Sequence, residues 1–256
     1  MNITPIEQVT RSDLYTCIND SQGYMLCSMP QDDLAVLLSH VREQYLHVIQ
    51  SVAPAHVAKY FSQPLQAYHQ IYKPDHFEHA KVWSKPSRVF GPQACQRALS
   101  LTFCQHLKQL LGDFRVADEE GFGWPGVYWR LVRPGNTDIG PIHADKWFWD
   151  LGHGHMPTGY QRLKIWICLH AEPGKSGLRV VPESHKSEQW KYHGEVKNGM
   201  TKPVIDEREE DLDLIDLPLS SGQFVLFHDK LLHGGMPNAG ETSRLSLEFT
   251  LLVPES

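Results

Sequence analysis

The stretch Gly222-Gln-Phe-Val-Leu-Phe-His-Asp-Lys-Leu-Leu-His-Gly-Gly-Met-Pro-Asn238 is followed, after a short turn, by Ser243-Arg-Leu-Ser-Leu-Glu-Phe-Thr-Leu-Leu252. The second run alternates strictly. Leu245, Leu247, Phe249 and Leu251 fall on one face of an extended chain, and Arg244, Ser246, Glu248 and Thr250 on the other, because successive side chains of a strand point to opposite sides. One face packs against protein. The other is polar on a strand long enough to be central, which is the pattern of the inside of a ligand-holding barrel. The first run reads as an apolar strand, 223–227, leading to His233 and the glycine pair Gly234-Gly235.

Upstream, further strands are predicted at 127–132, 139–143, 163–169 and 178–181. Short strands at this density, with Gly, Pro, Asn and Asp between them, indicate a sandwich or barrel. No βαβ alternation, GxGxxG or GxxxxGK[ST] loop is present, so a nucleotide-binding fold is unsupported. The first third reads differently. Leu34, Leu37, Leu38, Val41, Tyr45, Val48, Ile49 and Val52 recur at helical spacing over 31–52, after Ser28 and Pro30 and with Asp32 and Asp33 at the positive end of the helix dipole. A second helix is predicted over 92–111, with Gly112 as its C-terminal cap. Four prolines break up 54–91, and the acidic stretch 206–216 reads as a solvated excursion. The expectation is a single domain over 1–256, with a mainly helical part (1–112) and a sandwich or barrel core (113–256).

The chain has 256 residues, 41% hydrophobic and 21% charged, which describes a globular protein and not a disordered one. Lys plus Arg is 24 against 30 for Asp plus Glu, a formal charge of −6 that argues against a nucleic-acid binder. No apolar run is long enough for a transmembrane helix, and the first residues lack the apolar centre of a secretory signal. The five cysteines are odd in number and none is spaced as CxxC, so a cysteine zinc site is not expected and reduced thiols in a cytoplasmic protein are.

His143-Ala144-Asp145 follows the predicted strand 139–143. Residues i and i+2 of an extended segment share a side, so an imidazole and a carboxylate can reach one ion. His233 can supply a third ligand, and two histidines with one carboxylate form the facial triad of non-haem iron(II) oxygenases. Arg244 lies on the polar face of the last strand. A guanidinium inside a barrel needs an anionic partner. 2-Oxoglutarate provides one while its keto acid end chelates the metal, and Ser246 can add a hydrogen bond. Lys164 and Arg130 are further candidates for anion contacts, each with a plain ion pair as the competing reading. Glu248 is the competing partner for Arg244. Trp147, with Phe148 and Trp149, can wall a pocket or fill a core, and His185 can line the pocket or bond a loop carbonyl. The other triplets, His76-Phe-Glu78 and His193-Gly-Glu195, lack a strand leading into them and are not expected to bind metal, and His228 reads as structural.

Three blocks, in order and spacing, resemble the phytanoyl-CoA dioxygenase-like branch of iron(II)/2-oxoglutarate oxygenases. They are Pro141-Ile-His-Ala-Asp145, Gly177-Leu-Arg-Val-Val-Pro-Glu-Ser-His-Lys186, and the opening stretch through Ser246. The resemblance spans about residues 127–252. It implies a double-stranded β-helix (jelly roll, cupin-like) flanked by N-terminal helices, and therefore mostly β. It also implies His143, Asp145 and His233 as iron ligands, with Arg244 and Ser246 at 2-oxoglutarate. The implied reaction uses Fe(II), 2-oxoglutarate and O2, with ascorbate as reductant in vitro. It hydroxylates a small molecule through an iron(IV)-oxo oxidant and releases succinate and CO2. Related halogenating enzymes lack the carboxylate ligand, so Asp145 favours hydroxylation. Glu183 stands where the family usually has Gly, so the loop before His185 is expected to turn differently. Lys146, His153 and His155 near the iron pair point to a polar metabolite, and neither a nucleic-acid nor a membrane partner is expected. Nothing in the sequence sets an oligomeric state. The competing functions are a cupin-type metal enzyme that does not use 2-oxoglutarate and a non-catalytic jelly-roll binding protein.

Overall fold

The computed structural model describes residues 2–136, 138–197 and 200–255. The strands are β1 (Thr4–Pro5), β2 (Tyr24–Ser28), β3 (Arg115–Val116), β4 (Tyr128–Val132), β5 (Tyr160–His170), β6 (Leu178–Val180), β7 (Tyr192–Lys197), β8 (Met200–Ile205), β9 (Ile215–Leu217), β10 (Gln223–His228), β11 (His233–Gly235) and β12 (Arg244–Pro254). The major sheet runs β1-β2-β10-β5-β12-β3, with β4 also paired to β12. The minor sheet runs β11-β6-β9, and β7 and β8 form a separate hairpin. At the centre, β12 lies antiparallel to β5 from Leu245 opposite His170 to Pro254 opposite Tyr160, with a register shift between Leu245 and Ser246.

The alternation of β12 divides the molecule. Leu245, Leu247, Phe249 and Leu251 join Ile165 and Ile167 of β5 and Phe224 and Leu226 of β10 in one buried cluster, completed by Leu37, Val41 and Ile49 and by Phe103 and Leu107. The helices therefore cover the outer face of the major sheet. On the other face, Trp166 and Cys168 pack with Leu178, Val180 and Leu217 of the minor sheet. The result is the expected double-stranded β-helix flanked by helices, and Arg244, Ser246, Glu248 and Thr250 face its interior.

The helix Gln31–Val52 runs as predicted, with Pro30 as its N-cap. The predicted helix 92–111 is two helices, Pro92–Leu99 and Thr102–Leu111, interrupted at Leu101 (φ −65°, ψ 156°). A carboxylate from elsewhere stabilises the break. Buried Asp33 accepts the backbone N–H of Thr102 at 3.3 Å and of Phe103 at 2.8 Å, supplying the cap that the second helix lacks locally. Gly112 ends that helix at φ +79°, the left-handed region that favours glycine.

Three further features depart from the sequence reading. Tyr24–Ser28 is a strand of the major sheet, although it precedes the long helix. The excursion after Lys186 contains the β7–β8 hairpin and β9. The segment 139–143 is not a strand: only His143 bridges, to His233.

Candidate active site

The His143–His233 bridge is reciprocal, each N–H donating to the other's carbonyl at 2.9 Å. A Cβ on Gly234 would meet Ile142 Cδ1 at 2.7 Å and the Pro141 carbonyl at 3.3 Å, so the crossing is close there. The two imidazole rings lie 4.5 Å apart, centre to centre. His143 Nδ1 is 2.8 Å from the Pro141 carbonyl and His233 Nδ1 is 2.9 Å from the Leu231 carbonyl. A carbonyl only accepts, so each Nδ1 carries the proton and each Nε2 keeps its lone pair. Both Nε2 atoms face Asp145: His143 Nε2 lies 3.8 Å from Oδ1, and His233 Nε2 3.7 Å from Oδ2. Asp145 follows the extended Ala144 and opens the short helix Asp145–Asp150.

One donor atom from each of the three residues lies within 4.8 Å of the others, and no other His, Cys, Asp or Glu group does this among the described residues. Asp145 Oδ2 is buried and accepts no hydrogen bond. Burial alone would raise the Asp145 carboxyl, but Lys164 and the two histidines outweigh it and hold it well below the usual carboxylate range. Burial pushes His233 down to about 4, against the pull of Asp145, so the ring is neutral at pH 7. Two imidazoles held through Nδ1, each presenting Nε2, and one ionised carboxylate with an orphan oxygen fit a divalent metal.

The triad opens on a cavity of about 560 Å³, a size suited to a small ligand, whose wall includes Arg244, Lys164, Arg130, Trp166, Phe148 and Trp149. Arg244 is 1% exposed. Its Nη1 donates to the carbonyls of Gly177 and Met236, its Nε has no partner, and Trp166 lies under its guanidinium at 5.7 Å. A Cβ on Gly235 would crowd Ile139 at 2.9 Å and only touch Arg244 Nη2, at 3.4 Å. Burial lowers Arg244 to about 10, as expected for a guanidinium with no carboxylate beside it. Glu248 pairs with Arg130 at 3.4 Å, not with Arg244.

Ser246 is buried two residues along the same face, opposite Arg130 on β4 and Cys168 on β5. Lys164 stands 3.9 Å from Asp145 Oδ1, 3.9 Å from Glu119 Oε1 and 3.4 Å from the Thr250 hydroxyl. Lys164 and Arg130 therefore both reach the cavity with acidic partners beside them. The helix after Asp145 separates the aromatic group. Phe148 and Trp149 turn to the cavity, whereas Trp147 is buried against Tyr192 at 4.5 Å and lies off the cavity wall. His185 also lies off the wall, its Nε2 3.1 Å from the Asn19 carbonyl. His153 lines the cavity, His155 is exposed, and Lys146 pairs with Asp150. His76 bonds Tyr60, His193 pairs with Asp206, and His228 sits beside Asp229. Glu183 takes φ +64°, ψ −2° and is the one non-glycine residue with positive φ among the described residues. The loop thus makes the turn that glycine would make, contrary to the expectation of a different path.

Among the charged residues on the cavity wall that the sequence did not single out are Glu119 and Arg88. Glu119 joins Lys164, Lys85 and Thr250. Both come from segments without hydrophobic periodicity, so no pattern placed them inside.

Fold and site together define the double-stranded β-helix class of metal-dependent oxygenases. Residues 49–246 match the model of the phytanoyl-CoA dioxygenase (PhyH) family, and the chain belongs to that family. It is a 2-oxoglutarate-dependent non-haem iron dioxygenase that uses Fe(II), 2-oxoglutarate and O2. No curated protein matches the sequence. Among solved structures, the chain is similar to the epimerase SnoN in complex with Fe3+, α-ketoglutarate and nogalamycin RO (13% identity, 95% of this chain and 83% of that one, TM-score 0.56). It is similar to EctD from S. alaskensis in its apo form (15% identity, 96% and 77%, TM-score 0.55). It is also similar to AviO1 from Streptomyces viridochromogenes Tue57 (15% identity, 96% and 96%, TM-score 0.51). At these identities the likeness concerns the fold. No helix among the described residues is long and apolar enough to cross a membrane.

Proposed function

We propose that this chain hydroxylates a small polar metabolite, with His143, Asp145 and His233 holding the iron and Arg244 anchoring the far carboxylate of 2-oxoglutarate. The observation that carries the reading is the buried, unbonded Asp145 Oδ2 facing imidazole nitrogens whose protons are fixed elsewhere. Bound iron with 2-oxoglutarate supplies the activation of dioxygen, with succinate and CO2 as by-products. The carbonyls of Pro141 and Leu231 hold the two rings in the tautomer that presents Nε2. Lys164 keeps Asp145 ionised and steadies Oδ1, leaving Oδ2 as the donor. The carbonyls of Gly177 and Met236 aim the Arg244 guanidinium, whereas Ser246, two residues along the strand, lies off the cavity wall. Phe148, edge-on to His143 at 5.2 Å, and Trp149 give the cavity an aromatic wall beside the triad that would help to displace water once substrate fills it. The carboxylate at Asp145 favours hydroxylation over halogenation. Five free cysteines support the cytoplasmic location expected from the sequence.

The test is succinate formation across a metabolite panel with Fe(II), 2-oxoglutarate and ascorbate. Substrate-dependent succinate with a product one oxygen atom heavier supports hydroxylation. A product of unchanged mass, or one short of two hydrogens, contradicts it in favour of epimerisation or ring closure.

A further inference from the structure

Three arginines line the cavity: Arg88, Arg130 and Arg244. Arg130 has the Glu248 carboxylate at 3.4 Å. Among the described residues, neither Arg88 nor Arg244 has a carboxylate within ion-pair distance. Both are held by backbone carbonyls. Arg88, the last residue of the turn Lys85–Arg88, donates from Nε to the Trp83 carbonyl at 2.8 Å and from Nη1 to the Trp129 carbonyl at 2.6 Å. A carbonyl aims a guanidinium without neutralising it, so both side chains reach the cavity with no carboxylate paired to them.

The acids on the wall are engaged elsewhere. Glu248 is taken by Arg130, Glu119 lies between Lys85, Lys164 and Thr250, and Asp145 faces the imidazoles. Burial and then Arg130 push Arg88 down to about 9, against a smaller pull from Glu248. 2-Oxoglutarate has two carboxylates, one for the metal and one for Arg244. Neither remains for Arg88, which sits on a different element. We propose that Arg88 anchors a carboxylate or phosphate group carried by the substrate, an inference that rests on reading Arg244 as the co-substrate anchor. The substrate class is then a small organic acid or phosphate ester, with its anion held at the wall formed by Trp83 and Arg88.

The test uses cobalt(II)-substituted protein saturated with N-oxalylglycine, a non-reacting analogue of 2-oxoglutarate. Acetate and inorganic phosphate are then titrated by calorimetry while the cobalt absorption bands are followed. The expected result is one saturable anion site that leaves the bands unchanged. Arg88→Gln weakens it at least tenfold, Arg88→Lys retains most of it, and N-oxalylglycine affinity is unaltered in both. A preference for acetate assigns a carboxylate, and a preference for phosphate assigns a phosphate ester. The proposal is overturned if wild-type protein shows no saturable anion binding, a titration that does not depend on any variant folding. It is also overturned if Arg88→Gln leaves anion binding intact, if the anion binds the cobalt itself, or if Arg88→Gln weakens N-oxalylglycine, making Arg88 a co-substrate contact. Failure of wild-type protein to bind N-oxalylglycine defeats the reading of Arg244 and appears in the first titration, before any anion is added.

Discussion

On the proposed reading, replacing Arg244 by Gln removes the charge that anchors the far carboxylate of 2-oxoglutarate while leaving the proposed metal ligands untouched. The side chain is 1% exposed, so water cannot substitute for it. Loss of one partner from a buried, hydrogen-bonded charge pair costs about 2–5 kcal/mol. At 1.4 kcal/mol per tenfold, the dissociation constant for 2-oxoglutarate rises by at least about 30-fold. The assay is an anaerobic titration of the iron-loaded protein, read from the visible charge-transfer band of the iron(II)–keto acid chelate. The substitution also leaves the Gly177 and Met236 carbonyls without this donor, at roughly 1–3 kcal/mol of folding stability. Melting and iron content must therefore be measured alongside. Arg244→Lys keeps the charge but loses the planar fork and should fall between the two. A folded, iron-replete Arg244→Gln protein that binds 2-oxoglutarate as tightly as the wild type would refute the reasoning.

Asp33→Ala should lower stability by about 1–2 kcal/mol, since it strips two backbone N–H groups at the start of Thr102–Leu111 of their acceptor; an unchanged urea midpoint contradicts this. Glu183→Gly should raise stability by roughly 1 kcal/mol, because the left-handed backbone costs a residue with a Cβ and not glycine, whereas a loss would show that the Lys186–Glu183 ion pair outweighs the strain. Acidification should destabilise the metal-free protein. Burial sets both His79 and His233 at about 4, below the ordinary histidine value of 6.5, so the unfolded chain takes up protons first as pH falls. The stabilisation is complete above the unfolded value and is lost between 6.5 and about 4, at roughly 3 kcal/mol per histidine, and a flat melting profile across that window would contradict it.

The features with a clean period or fixed spacing were legible in the sequence. The alternation of 243–252 predicts the central strand and its polar inner face, and the helix 31–52 follows from apolar spacing alone. Arg244 stands out by strand parity, and His143, Asp145 and His233 by motif spacing, although the segment leading to His143 is not a strand. Other features depend on contacts distant in sequence. The break at Leu101 is stabilised by Asp33 on another helix, and Tyr24–Ser28 becomes a strand because β10 pairs with it. Trp147 shares a triplet with two cavity residues, but a helix begins at Asp145 and rotates it away, a change that reading the segment as extended could not reveal. Arg88 and Glu119 lie in aperiodic segments, and folding alone brings them to the cavity.

Anaerobic iron(II) binding by the wild-type protein and by Asp145→Ala, His143→Ala and His233→Ala tests the metal centre most directly. Wild-type protein is expected to hold one ferrous ion tightly per chain, and each folded variant to lose it. Retention of stoichiometric iron by Asp145→Ala, or absence of iron from the wild-type protein, would contradict it.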